Sequence, residues 1–157
     1  MVTRILLDAM CGGLRAYLRL CGHDAAYALD RGAEADDAIA ALARDEDRVV
    51  VTRDRDLAAA TDGVLLRERD SLDQLRELAA AGISLEPTDD PERCGRCNGQ
   101  LDRVPADDAT PDYAPDPADE DVWRCRDCEQ CFWKGSHHER MVQTLSVVRR
   151  NENAAGS

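Results

Sequence analysis

Two C-x2-C pairs, Cys94-Gly95-Arg96-Cys97 and Cys125-Arg126-Asp127-Cys128, are separated by 27 residues and constrain this chain more than any other feature. Tetrahedral zinc takes four thiolates at about 2.3 Å, and a two-residue gap lets one tight turn present both sulfurs to the same ion. Gly95 and Gly99 suit such a turn. Cys131, His137 and His138 extend the range of possible ligands, but two plus two already fills a structural site, which keeps no open position. The pattern therefore predicts one structural Zn2+ on Cys94, Cys97, Cys125 and Cys128, clipping a loop-rich segment too poor in apolar residues to fold alone. A thiol redox protein is the competing use of seven cysteines. It needs a reactive pair, and Cys11 and Cys21, ten positions apart in an apolar helix, share no face and read as packing residues.

Ahead of the knuckles, apolar runs alternate with helical patterns. Residues 2 to 7 form a strand ending at Asp8, followed by Met10, Leu14, Leu18 and Cys21 at helical spacing, with Gly22 as a stop. A short strand candidate, Asp24 to Leu29, leads to a helix opening at Asp36-Asp37. Val49-Val50-Val51 reads as a buried strand, Leu57 to Ala60 as a helical turn and Val64-Leu65-Leu66 as another strand. Ser71-Leu72-Asp73-Gln74 is a capping-box pattern for a helix that Gly82 ends. This alternation predicts an α/β fold, a parallel sheet flanked by helices. Pro, Asp, Ala and Thr dominate the stretch from Pro87 to Asp121, and Ser136-His137-His138-Glu139 opens a last helix presenting Met141, Leu145 and Val148. The expected organisation is an α/β domain at 1–86, a zinc ribbon with a C-terminal helix at 87–150, and a disordered tail at 151–157.

Asp8 follows the first strand, Asp54 and Asp56 follow the third, and Asp36 with Asp37 open the helix after the second. All fall at the carboxyl edge of one parallel sheet, where open α/β folds place ligands. Converging carboxylates repel unless a divalent cation neutralises them, and hard oxygen donors favour Mg2+ or Mn2+. Such an ion activates water against a phosphodiester. Most of the 32 acidic residues must be surface solvation; Asp8 and Asp54 stand out because they directly follow buried strands. Asp36 equally suits a helix cap. Arg15 and Arg19, one helical turn apart, and Arg53 beside Asp54 are candidate phosphate holders, as is His137 at a helix N-terminus.

A net charge of −12 argues against the basic surface of an ordinary nucleic-acid binder. Of the 20 basic residues, however, only Lys134 is a lysine, a composition that fits a halophilic, high-salt cytoplasm. There the Debye length falls to about 3 Å, and long-range repulsion of RNA is screened. No run reaches the roughly eighteen apolar residues of a membrane span, and the start carries no signal-peptide core, so a cytoplasmic location without membrane contact is expected.

The motifs, in order, resemble the Mut-seven C-terminal RNase domain family: Ile5-Leu6-Leu7-Asp8-Ala9-Met10, Gly13-Leu14-Arg15, Leu18-Arg19-Leu20-Cys21-Gly22, Val50-Val51-Thr52-Arg53-Asp54-Arg55-Asp56-Leu57, the paired knuckles, and Phe132-Trp133-Lys134-Gly135-Ser136-His137 with Arg140-Met141. That resemblance implies a PIN-like nuclease fold with a zinc ribbon, acting on RNA with a divalent metal. It also implies Asp8, Asp36 and Asp54 as the acidic site, Asp56 as a fourth member, and the four knuckle cysteines as the zinc site. Asp36 and Asp37 remain two candidates for one position. Cys11, Cys21 and Cys131 stand where the family suggests apolar or aromatic residues, consistent with packing. The expectation is a Mg2+- or Mn2+-dependent ribonuclease; the alternative is a non-catalytic RNA- or ribosome-associated module in which the ribbon and arginines act.

Overall fold

The computed structural model describes residues 2–155, with side chains through residue 150. Strands β1 (Arg4–Leu7), β2 (Asp24–Tyr27), β3 (Val49–Thr52) and β4 (Val64–Leu65) form an all-parallel sheet in the order β2-β1-β3-β4. The two central strands are runs of Ile, Leu and Val, as strands buried on both faces must be. Side-chain alternation sends Ile5, Leu7 and Val51 to one face and Leu6 and Val50 to the other. The first face packs against Leu18 of α1 (Arg15–Leu20), Leu75 and Leu78 of α4 (Ser71–Ala80), and Leu145 and Val148 of α5 (Ser136–Ala155). The second packs against Ile39 and Ala43 of α2 (Asp36–Glu46) and Leu57 of α3 (Arg55–Thr61). Fully burying each leucine or isoleucine contributes about 1.5–3 kcal/mol, so the two clusters dominate stability. No described helix is long and apolar enough to cross a membrane.

Local expectations change in three places. Met10, expected on the buried helix face, is 66% exposed. A 3-10 turn over Ala9–Leu14 precedes α1, and the non-helical backbone of Cys11 puts that thiol, not Met10, into the core. The cap of α4 is Asp70, whose carboxylate accepts from the Asp73 N–H, so Ser71 is already helical. Backbone helix α5 runs through residues 151–155, within the stretch expected to be a disordered tail, whose last two residues lie outside those described.

After α4 the chain builds a second, antiparallel sheet from β5 (Leu101–Arg103), β6 (Val122–Cys125) and β7 (Cys131–Trp133). Its own core is Val104, Val122 and Cys131, with Ala114 and Trp133 packed against them. So small a core does not hold a sheet without another staple.

The ribbon docks on β2, an edge strand whose open backbone would otherwise invite pairing. Asn98, at a left-handed φ of 74°, accepts from the Ala25 N–H through Oδ1 at 3.0 Å and donates to Asp24 through Nδ2 at 2.7 Å. Asp24 also takes Arg48 at 2.8 Å and Arg4 at 3.0 Å. Burial, the largest single influence, pushes the Asp24 carboxyl up, but hydrogen bonds from Arg48 and Asn98 and the Arg48 and Arg93 charges outweigh it and leave its pKa lowered. A carboxyl depressed by folding contributes stability above its unfolded value, near 3.8, and loses it as pH falls through the folded value. Asp24→Asn is expected to cost about 3 kcal/mol at pH 7, the lower end for breaking a buried pair, because Glu46 still holds Arg48. Urea unfolding at pH 7 and pH 3 checks this: the gap between wild type and variant should narrow at the acid end.

Candidate metal centre and acidic edge

The four knuckle cysteines converge, with all Sγ atoms within 4.8 Å of one another. Cys94 and Cys128 are 3.6 Å apart and Cys97 and Cys125 3.5 Å. A tetrahedron with 2.3 Å bonds has edges of about 3.8 Å, so the spacing fits one zinc-sized ion. The backbone N–H groups of Asp127 and Cys128 approach the Cys125 sulfur at 3.4 and 3.5 Å, the orientation that stabilises a thiolate. Gly99 completes the cradle: a Cβ there would stand 2.7 Å from the Cys125 sulfur. The cluster can thus hold a structural metal such as zinc. Cys131 is outside it, buried in the ribbon core.

The acidic edge forms because β1 lies between β2 and β3, so the chain leaves neighbouring strands in opposite directions and opens a crevice at their carboxyl ends. Asp8 ends β1, with its N–H still donating to Val51 at 3.0 Å. One carboxylate oxygen accepts from the Ala9 N–H at 2.8 Å and the other from the Thr52 hydroxyl at 2.7 Å. That hydroxyl oxygen in turn accepts from the Asp54 N–H at 2.9 Å. Thr52 is fully buried and ties the two aspartates into one unit, yet it was not among the sequence candidates. A hydroxyl residue at the last, buried position of the strand was the available signal.

Asp54 caps α3, its Oδ1 accepting from Asp56 at 2.9 Å and Leu57 at 3.3 Å, which leaves its second oxygen free for other partners. Asp36, in the first turn of α2, has its carboxyl raised above the ordinary range, first by partial desolvation and then by the charge and hydrogen bonding of Asp54 and the charge of Asp8. The three therefore feel one another. Asp37 adds like charge from the next position, and Asp56 contributes its backbone N–H to the Asp54 cap. Among the described residues only the four cysteines close to within 4.8 Å as a group of three or more, so the carboxylates form a more open arrangement.

The candidate phosphate holders separate. Arg15 lies over the Tyr27 ring at 4.5 Å, while the Tyr27 hydroxyl donates to Ala9 at 2.7 Å, next to Asp8. Gly12 makes room, since a Cβ there would stand 2.8 Å from that hydroxyl. Arg53 is half-buried near Asp8 and Cys11, and its Nε–H is hidden from solvent with no acceptor among the described residues. Burial, with the Asp8 charge adding, pushes the Cys11 thiol up to about 12. That thiol is inert, as is Cys21, pushed up by burial to about 12. Arg19 departs from expectation. Only 1% exposed, it donates twice to the Ala25 carbonyl and once, at 2.9 Å, to Gly95 in the first knuckle, which leaves no face for a phosphate. His137 is exposed at the start of α5, in a cleft beside the ribbon rather than among the aspartates.

A family model described as the Mut7-C RNAse domain matches residues 3–145, nearly the whole chain. The chain belongs to that family. Comparison with curated proteins gives no match, and comparison with solved structures gives none. Membership in the Mut7-C RNAse domain family gives the chain a nuclease-like assignment with RNA as the implied substrate, and the α/β sheet and cysteine cluster follow the order that the family resemblance implied. Within this Mut7-C RNAse domain, Thr52→Val keeps the side-chain shape but removes a hydrogen bond to a charged group, and is expected to cost about 1.5–3 kcal/mol in denaturant unfolding. An unchanged midpoint would mean that water replaces the hydroxyl.

Proposed function

We propose that the chain is a metal-dependent ribonuclease that hydrolyses RNA phosphodiester bonds at the carboxyl edge of β1 and β3. The observation that supports it most is the open grouping of carboxylates at the carboxyl ends of β1 and β3, where desolvation, then the charge and hydrogen bonding of Asp54 and the charge of Asp8, raise the Asp36 carboxyl above its ordinary range. Like charges gathered at one edge, one of them with a raised pKa, suit a site that serves a cation or a proton. The donors are hard oxygens, which suit Mg2+ or Mn2+, with Asp8, Asp36 and Asp54 as the residues that would hold the ion. When bound, such an ion supplies a nucleophilic water at neutral pH and neutralises developing charge. Thr52 fixes the rotamer of Asp8, and the α3 N-terminus fixes Asp54. Arg53, with its unsatisfied Nε–H, and Arg15, held by Tyr27, are the cations we assign to binding the RNA backbone at this edge. The single lysine and the acidic excess support a high-salt cytoplasm as the setting.

The test is cleavage of a labelled structured RNA by the purified, zinc-loaded protein in molar potassium chloride, with and without Mn2+ or Mg2+. Cleavage that requires the added metal supports the reading. RNA binding without cleavage under either metal would replace it with the non-catalytic RNA- or ribosome-associated module.

A further inference from the structure

A cleft of about 520 Å3 opens between α1, the first knuckle and the corner where β7 turns into α5. Its size lies within the roughly 300–1,000 Å3 of small-ligand sites. Ala16 and Leu20 of α1 form one wall, Phe132 and Trp133 the other, and Arg96 and His137 stand at its rim. Gly135 lets the chain pass close to the indole, since a Cβ there would meet Trp133 Nε1 at 2.7 Å, and Tyr113 lies against the same ring at 6.2 Å. The indole is thus held in place before any ligand arrives.

Charge selects the occupant. In a chain with 32 acidic residues, no carboxylate is among the residues lining this cleft, whereas two arginines and two histidines are. Arg93 is committed to the Asn98 carbonyl at 3.2 Å and lies 3.8 Å from Asp24, but Arg96 makes only a solvent-facing bond to Gln130 at 3.2 Å. The first turn of α5 also lines the cleft, and its leading N–H groups have no intrahelical partner. Aromatic walls, a cationic rim and free amides suit a planar base attached to a phosphate. On α1, Ala16 lines the cleft while the preceding residue, Arg15, stacks on Tyr27 on the side of the acidic edge, so one short helix carries residues toward both.

We propose that this cleft is an RNA-binding subsite that takes one unpaired nucleotide of a single strand, its base against Phe132 and Trp133 and its phosphate toward Arg96, His137 and the α5 N-terminus. The proposal rests on RNA as the substrate class but not on catalysis. The subsite holds the strand beside the acidic edge and favours RNA with unpaired residues over duplex.

The test uses the full, zinc-loaded chain carrying Asp8→Asn, so that binding is read without cleavage. Anisotropy of a labelled single-stranded oligoribonucleotide is compared with a duplex of the same sequence and with competing AMP, in the Asp8→Asn background alone and with Arg96→Glu plus His137→Glu. Both added substitutions are at exposed positions, and zinc content with the unfolding midpoint verifies the fold. The expected result is about tenfold or greater loss of single-strand affinity in the triple variant, with 5-iodouracil RNA photo-cross-linking to the peptide spanning residues 132–141. Equal affinity in both proteins, cross-links confined to other segments, no preference over duplex, AMP competing as well as the strand, or no RNA binding at all would each overturn the proposal. Complete absence of RNA binding would remove RNA as the substrate and sink the nuclease reading too; none of the other results bears on metal-dependent cleavage by the wild type, so the subsite can fail while that reading stands.

Discussion

Cys125→Ser, or stripping the metal with a chelator, is expected to unfold the ribbon and also to expose β2 in the sheet it docks against. The ribbon's own core cluster holds only three buried residues, Val104, Val122 and Cys131, while a structural zinc contributes roughly 10–16 kcal/mol of apparent binding energy in small zinc-dependent folds. That exceeds or matches the entire 5–15 kcal/mol stability of an ordinary domain. Cys125 is the sulfur around which the second knuckle is wound, receiving the Asp127 and Cys128 amides and touching the space that Gly99 leaves open. With it gone, Asn98 no longer satisfies the Ala25 N–H and Gly95 no longer receives Arg19. Hydrogen exchange should show Ala25 losing protection together with the ribbon amides, while Leu6 and Val50 in the central strands stay protected. Retained protection at Ala25 after metal removal would show that the edge strand is held without the ribbon.

Asp8→Asn is expected to lower RNA cleavage by at least about 100-fold, the scale seen when one charge-stabilising group at a reacting centre is removed. Its fold should survive, because the amide still fills the space. Loss of the charged bond to Thr52 is offset by relief of repulsion with Asp36 and Asp54, so the unfolding midpoint should stay level or rise. The Asp36 carboxyl should also fall back toward its ordinary pKa, since the Asp8 charge is one of the influences raising it. Single-turnover cleavage, thermal unfolding and an NMR titration of Asp36 read these three effects. A variant as active as the wild type would remove Asp8 from the reaction, and an unmoved Asp36 would show that desolvation, Asp54 and Asp37 raise it without Asp8.

Much of the fold was legible because it rests on local rules. Ile5-Leu6-Leu7 and Val49-Val50-Val51 are apolar on successive residues, which only a strand covered on both faces satisfies, and both became central strands. The C-x2-C spacing specifies a tight turn and two thiolates, a geometry that needs no distant information, and the four sulfurs meet. Asp8 and Asp54 were marked by standing directly after those strands. The misreadings came where a distant partner chose. Arg19 reads as a surface cation on a helix, but its acceptors, Ala25 and Gly95, are 6 and 76 residues away. Met10 left the core because Asp8 starts a 3-10 turn, about 0.6 residue per turn tighter than an α-helix, which a helical periodicity does not register.

The sequence by itself determined the strand–helix alternation, the four thiolates and the acidic residues that follow the buried strands, since each depends on neighbours within a few positions. Tertiary structure alone decided which charges stand together. It brought Asp36 to Asp54 and Asp8, made Thr52 the link between two aspartates, committed Arg19 and Asn98 to the ribbon's docking on β2, and set His137 in a cleft with Phe132 and Trp133. The physical reason is that Coulomb and hydrogen-bond energies act through distances of a few ångströms in space, and strand order, not chain order, fixes those distances.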